Sequence, residues 1–514
     1  MGADRGDGGA RRVNVHTALV RNTAWYGLVT AIGLVSGLLM SVVLARGLGP
    51  ALMGELSYVL WVERTLTAIA TLGFMLATVR YTAEAFARGE HDRAWGVVRR
   101  FMRLQMFSTL LVMAAALPLT LAFAPADMRG PLVVVIATLL LVAVEGIYSH
   151  ALQGAQRYDI TARTSTIKMA LQFAVAALAI HFGAGLTPLL AGMGVMMVVS
   201  CLLQRHRARA VYKESLSAPP VPLTAEARAF VLPLSIVAVL DAIVWDRSEV
   251  FFLGLYASSE EIAFYSLAFG LATRIMIIPG ITVGALLPAF AHLHGQGEPE
   301  EFRALYRTAL RYVGLAGVPL AALVAALAPG VVVWLYGDAY LPAAPLLGIM
   351  CGVALLSAMR GVAWAALRAV GNRRCALTAT AVAAVVNIGL AALLIPTWTT
   401  VGAVIANTAA QLTASVWVFV GMSRAHRIDV PVYDFVKLTL AGLLALLVAA
   451  GLAGDAHAHD IVRLILAGGA ALLVYVLACL ATRLIGAREW GFITTSTRRL
   501  LAARASGATT TTSL

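Results

Sequence analysis

Charged residues are scarce in this 514-residue chain, where Asp, Glu, Lys and Arg together make up 13%. Soluble proteins carry about 25%. With 60% hydrophobic residues, that shortage excludes an ordinary soluble enzyme. Cysteine is sparse as well. Cys201, Cys351, Cys375 and Cys479 are scattered in or beside apolar runs, and no pair has metal-ligand spacing, so they read as small hydrophobes and no metal is expected. There is no GxxxxGK[ST] phosphate loop and no H-E-x-x-H zinc motif, and no cofactor is expected. The alternating segments of about 10 residues that mark a membrane β-barrel are also missing.

What fills the chain instead is a succession of apolar runs of about 20 residues, each long enough to cross about 30 Å of hydrocarbon as a helix. The chain is therefore expected to be an all-α polytopic membrane protein. Hydropathy and helix breakers give about fourteen spans, the first centred near Ile32, the seventh near Leu240 and the last near Leu472. The first run is longer than a signal-peptide core of about 7–15 residues, so it is expected to stay as a spanning helix.

The net charge of +13 is distributed by topology. One set of connectors holds Arg80, Arg88, Arg93, Arg157, Arg163, Lys168, Arg205, Arg207, Arg209, Arg303, Arg307, Arg373, Arg374 and Arg424. The alternate connectors are short and nearly free of cations. About 32 of the 39 Lys and Arg residues fall on the first side, which the positive-inside rule places, with both termini, in the cytoplasm. Nucleic acid is not an expected partner; lipid headgroups are. No outer connector exceeds roughly 14 residues, far below the ~50 that a folded domain needs. A catalytic outer-face enzyme is disfavoured and a translocator favoured.

The first twelve spans contain an internal repeat. LARGLGPALMGELSY (Leu44–Tyr58) parallels LGLYASSEEIAFYSL (Leu253–Leu267), and ALQGAQRYDITARTS (from Ala151) parallels ALRAVGNRRCALTAT (from Ala366). The offsets are about 209 and 215 residues. An even six-span unit repeated in one orientation predicts two lobes around an axis normal to the membrane, with a midplane cavity between them. The expected organisation is a cytoplasmic tail (1–17), an N-lobe (18–211), a cytoplasmic linker (212–228), a C-lobe (229–423), two further helices (432–485) and a C-terminal tail (486–514).

Several charges fall inside the spans, where an arginine costs roughly 2.5–3.5 kcal/mol on insertion scales. Arg64 interrupts one run, with Glu63 beside it. Asp241, Asp246, Arg247 and Glu249 interrupt a later one, and Asp241, Trp245, Ser248 and Glu249 share a helical face by spacing. Arg274 and Arg360 follow. Glu145, near His150, approaches the cytoplasmic end of its span. A proton site and a cap or ion pair with Arg157 or Arg163 are both open for it, the pair being favoured. Asn387 and Asn407 suit bridges between helices.

Five stretches in order carry a family resemblance: ARGLGPALMGELSY (Ala45–Tyr58), ALQGAQRYD (Ala151–Asp159), WDRSEVFFLGLYASSEEIAFYSLAF (Trp245–Phe269), WLYGDAYLPAAPLL (Trp334–Leu347) and the run Ala366–Ala406. The chain resembles the polysaccharide and oligosaccharide-lipid (Wzx-type) flippases of the multidrug/oligosaccharidyl-lipid/polysaccharide (MOP) exporter superfamily. It departs from them at Ala263 and at Gly371-Asn372. The resemblance implies paired six-helix lobes plus two C-terminal helices that alternate between inward-open and outward-open states. The substrate it implies is an undecaprenyl-pyrophosphate-linked oligosaccharide, with a polysaccharide polymerase or assembly complex as a further partner. Pyrophosphate needs fixed positive charge in a partly dry cavity, and arginine's planar fork suits it. Arg64, Arg247, Arg274 and Arg360 are the expected ligands. Glu63, Glu145, Asp241, Asp246 and Glu249 are the expected coupling or ion-pair acids. A lipid II flippase, a multidrug antiporter and a non-transporting scaffold remain as alternatives.

Overall fold

A computed structural model describes residues 7–222, 225, 229, 231, 235, 247–281, 283–426, 431–454 and 460–484. Among them there is no β-strand. The helices are α1 (Asp7–Thr71), α2 (Phe74–Ala87), α3 (His91–Phe123), α4 (Ala126–Gly154), α5 (Tyr158–His181), α6 (Leu186–Val211), α7 (Glu249–Tyr256), α8 (Ser259–Ile275), α9 (Ile277–Gly280), α10 (Val283–Gln296), α11 (Pro299–Tyr336), α12 (Ala343–Ala369), α13 (Arg373–His426), α14 (Val432–Ala453) and α15 (Ile461–Ala481).

Eleven helical stretches among the described residues are long and apolar enough to cross a membrane. Two of them are double. α1 kinks at Gly49 (φ 76, ψ 172) and α13 at Thr399 (φ 41, ψ −116). Their apolar parts run 42 and 51 residues, about twice what one crossing takes. Each kink adds a span, which gives thirteen of the expected fourteen. The span centred near Leu240, with Asp241 and Asp246, lies outside the described residues apart from its end at α7.

The repeat is visible in where helices stop. Gly89 and Gly297, 208 positions apart, both sit at φ 74. Each closes a helix with the same pair of bonds: Gly89 N–H to Phe86 and Glu90 N–H to Ala85 at 3.0 and 2.9 Å, Gly297 N–H to His294 and Glu298 N–H to Leu293 at 3.2 and 3.1 Å. This is the Schellman turn, in which a left-handed residue lets two otherwise orphaned carbonyls be satisfied. Gln156 (φ 59) and Gly371 (φ 72) form a second pair, 215 positions apart. The break at Leu72–Gly73 likewise corresponds to the gap between α9 and α10. A Cβ at Gly89 or Gly297 would meet nothing within 4 Å, so replacement there is penalised by backbone strain alone. Gly89→Ala and Gly297→Ala are each expected to cost roughly 1–2 kcal/mol, read as a lower melting temperature of the protein in detergent.

The chain packs as two compact units, one comprising Met1–Leu267 with Thr380–Ala410, the other Ala268–Ala379 with Gln411–Leu514. In the first, Trp95, Phe101, Ile147 and Tyr212 anchor a core at one end of the bundle. The chain after α6 is strapped onto α3 there, through Trp95 Nε1 to Leu216 O at 3.2 Å and Arg99 Nη1 to Ala218 O at 2.8 Å. In the second, Phe290, Tyr306, Leu310 and Val418 form one core. A stripe of Ala441, Ala445, Ala449 and Ala471 lets α14 and α15 approach closely, as small residues do between helices in membranes.

Candidate functional site

Pro50 follows the Gly49 kink and opens the second arm of α1, its fixed φ suiting the first helical turn. The arm packs on α7 through the ring series Tyr58, Trp61 and Phe251, with centroids 6.1 and 6.2 Å apart. Gly254 faces the Tyr58 ring at a distance no side chain would allow. Arg64 lies fourteen residues past Pro50, about 21 Å along the helix. It is exposed and makes no hydrogen bond or ion pair among the described residues. Glu63 is half-buried, within electrostatic reach of both Arg64 and Lys168. The arm ends at Leu72 (φ 42) and Gly73 (φ 72). Two carbonyls at this break are taken up by side chains: Ala70 O by Gln105 Nε2 at 3.1 Å and Leu72 O by Ser235 Oγ at 2.5 Å.

The second cluster of the same unit surrounds Glu249. Arg247 sits at φ 61, a left-handed conformation costing about 1–3 kcal/mol for such a residue, and α7 starts two residues later. Glu249 is 0% exposed. Its Oε1 accepts from Asn387 Nδ2 at 2.6 Å and from Asn407 Nδ2 at 3.0 Å, the two asparagines standing on opposite sides of the Thr399 kink. Ser248 Oγ donates to Asn387 Oδ1 at 3.0 Å. The Tyr265 hydroxyl lies against the carboxylate, and Arg247 is within electrostatic reach of that tyrosine. The helix-bridging role expected of Asn387 and Asn407 is therefore met on a buried acid.

Glu145, on α4, forms a third cluster. Its carboxylate is buried and accepts from Ser200 Oγ at 2.7 Å and Gln204 Nε2 at 3.0 Å, both on α6. Lys168 Nζ on α5 reaches its two oxygens at 3.1 and 3.3 Å. This corrects the sequence expectation, in which Arg157 or Arg163 was the partner and Lys168 a loop cation. Arg157 instead clasps Asp159 at 2.9 and 3.0 Å. α5 begins at Tyr158, so Lys168 is three turns inside it. The turn at Gln156–Arg157 was the signal that could have shown this, since a Schellman turn there starts the helix early. His150 Nδ1 bonds Gly146 O at 2.7 Å, within its own helix.

In the second unit, Arg274 ends α8 and is half-buried. Arg360 is buried. Its guanidinium meets Gln411 O, Ser415 Oγ and Ser357 Oγ, each at 3.3 Å, tying α12 to the second arm of α13. Of the four candidate arginines, Arg64 and Arg247 belong to the first unit and Arg274 and Arg360 to the second.

Comparison with known proteins adds to this geometry. A family model described as polysaccharide biosynthesis protein matches residues 43–345, well over half of the chain. The chain belongs to the polysaccharide biosynthesis protein family. A second model, lipid II flippase MurJ, matches residues 251–465. No curated protein sequence matches the chain. Among solved structures, the chain is similar to a lipid II flippase MurJ in an inward closed conformation. The TM-score is 0.70 at 14% identity, over 89% of this chain and 98% of the other. It is also similar to an inward-facing multidrug resistance MATE family transporter of the MOP superfamily, with TM-score 0.65 at 16% identity over 77% and 96% of the two chains. A MOP superfamily transporter from Pyrococcus furiosus gives 0.56 at 16% identity, over 80% and 96%. The fold of this family member is thus that of MOP flippases and transporters. The stretches Ala45–Tyr58, Ala151–Asp159 and Trp245–Phe269 all fall inside the polysaccharide biosynthesis match.

Proposed function

We propose that this chain is a flippase that turns an undecaprenyl-pyrophosphate-linked oligosaccharide from the inner to the outer leaflet of the plasma membrane by alternating access, for surface polysaccharide synthesis. The observation that carries the reading is Arg64, exposed about 21 Å into a spanning helix. A charge facing lipid at such depth costs roughly 2.5–3.5 kcal/mol, so an exposed guanidinium there calls for a water-lined path. Arginine on such a path binds phosphate through paired, charge-assisted hydrogen bonds. Arg247 and Arg274 are further ligands in this reading. Arg360 would have to leave its neutral partners to join them. The cation asymmetry of the connectors supports cytoplasmic termini, and in this reading the lipid-linked glycan is taken up on that side and passed to a polymerase or assembly complex on the other.

Glu249 supports a coupling role. A carboxylate removed from water is stable only when paired, protonated or otherwise compensated, so a proton or cation arriving there changes the energy of the three segments it joins. The remaining acids Glu63, Glu145, Asp241 and Asp246 are secondary candidates.

Deleting the gene and identifying lipid-linked intermediates by mass spectrometry tests the reading. Accumulation of an undecaprenyl-pyrophosphate oligosaccharide is expected. Lipid II translocation is the second reading, favoured by the MurJ family match over residues 251–465; accumulation of lipid II would replace the first reading by it. No accumulation in a strain making surface glycan would overturn both.

A further inference from the structure

The Glu145 cluster holds a cation that neither the topology nor the four arginines account for. Lys168 is 25% exposed at its side chain whereas Glu145 beneath it is 8% exposed. A lysine ammonium has three N–H donors. The carboxylate of Glu145 takes up to two of them, at 3.1 and 3.3 Å, which leaves donor capacity on the open side. Glu145 is held from below by Ser200 and Gln204, so the pair is fixed in place from α6 rather than from the open face.

The depth of Lys168 matches that of Arg64. Successive spans alternate in direction, so the Pro50 end of the second arm of α1 and the His181 end of α5 lie on one side. Arg64 is fourteen residues from the first and Lys168 thirteen from the second, about 21 and 20 Å at 1.5 Å per residue. Glu63 lies within electrostatic reach of both cations. Arg64 and Lys168 thus stand at one depth, each within electrostatic reach of Glu63.

Resting on the reading that the substrate is a lipid-linked pyrophosphate, we propose that Lys168, positioned by Glu145, is the residue that selects a pyrophosphate linkage over a single phosphate. A sugar joined to a prenol through pyrophosphate carries two negative charges, and one joined through a single phosphodiester carries one. Arg64 alone satisfies the single charge. The second phosphate meets the spare donors of Lys168, whose flexible stem adapts to it. Glu145 neutralises the ammonium in the empty protein and limits the charge held in a low-dielectric setting.

The test measures binding of two synthetic probes, the same sugar joined to undecaprenol through pyrophosphate or through one phosphate, to the purified full-length protein in detergent. The unaltered protein is expected to prefer the pyrophosphate probe. Lys168→Met is expected to reduce that preference about tenfold, the size of one charge-assisted hydrogen bond, with little change for the monophosphate probe. Glu145→Gln keeps an acceptor for Lys168 but removes the negative charge, so the preference is expected to hold or rise. A purely structural ion pair predicts that both variants lose stability and neither changes the ratio. An unchanged ratio in Lys168→Met, or a fall in Glu145→Gln as large as in Lys168→Met, overturns the proposal. Arg64→Gln separates it from the reading beneath: if Arg64→Gln weakens both probes while Lys168→Met leaves the ratio intact, only the role of Lys168 fails. If the unaltered protein binds neither probe, both fail.

Discussion

Arg64→Gln is expected to lower translocation of the lipid-linked glycan about 10- to 100-fold in reconstituted vesicles while leaving the protein folded. The size follows from the loss of a charge-assisted hydrogen bond to phosphate, roughly 1.5–3 kcal/mol. The folded state is spared because Arg64 is exposed and makes no hydrogen bond among the described residues, and Glu63 keeps Lys168 within electrostatic reach. Trp61, one turn earlier, is buried and carries the packing of this arm against Phe251. Arg64→Lys retains the charge but loses the two-pronged geometry, so it is expected to fall between the two. Translocation by Arg64→Gln at the unaltered rate would remove the residue from the path and with it the observation on which the proposed function rests.

The second large effect is at Glu249, where two replacements are expected to part company. Glu249→Leu leaves the amides of Asn387 and Asn407 without their acceptor inside the bundle. Each orphaned donor costs about 1–3 kcal/mol, so a loss of about 2–5 kcal/mol is expected, seen as a sharply lower melting temperature in detergent. Glu249→Gln keeps a carbonyl in the place of Oε1, the oxygen that accepts from both amides, and the shape of the site, so its stability is expected to stay within about 1 kcal/mol of the parent. It can no longer exchange a proton or hold a cation. Translocation in vesicles under an imposed proton or sodium gradient is therefore expected to fall to the ungraded rate in Glu249→Gln. Gradient stimulation that survives the change would make Glu249 a bridge between helices and nothing more.

What was readable in advance has a local signal: apolar runs of about 20 residues mark the spans, and thirteen of the fourteen fall among the described residues. The turns at Gly89 and Gly297 were not among the expectations, although their cause is equally local, a left-handed residue without Cβ. Ser258 and Glu261 stand three apart before an apolar run, and they form the reciprocal cap, with Ser258 N to Glu261 Oε2 at 3.0 Å and Glu261 N to Ser258 Oγ at 3.3 Å. Lys168 was misplaced for the complementary reason: its hydropathic surroundings are those of a loop end, and only the early start of α5 puts it inside the bundle.

The sequence by itself determined that this is a polytopic helical membrane protein with a six-span repeat and two added helices, and it marked which charges are expensive. Those properties are sums over neighbouring residues, set by hydrocarbon thickness and backbone preference. Only the tertiary structure decided which charges are already satisfied. Glu249 is held by residues 138 and 158 positions away, Glu145 by residues 23, 55 and 59 positions away, and Arg360 by residues up to 55 positions away. Such partnerships depend on the rotation of each helix about its axis and on which helices touch, neither of which a periodicity of 3.6 residues specifies. Arg64 was expensive by sequence, and the fold left it open.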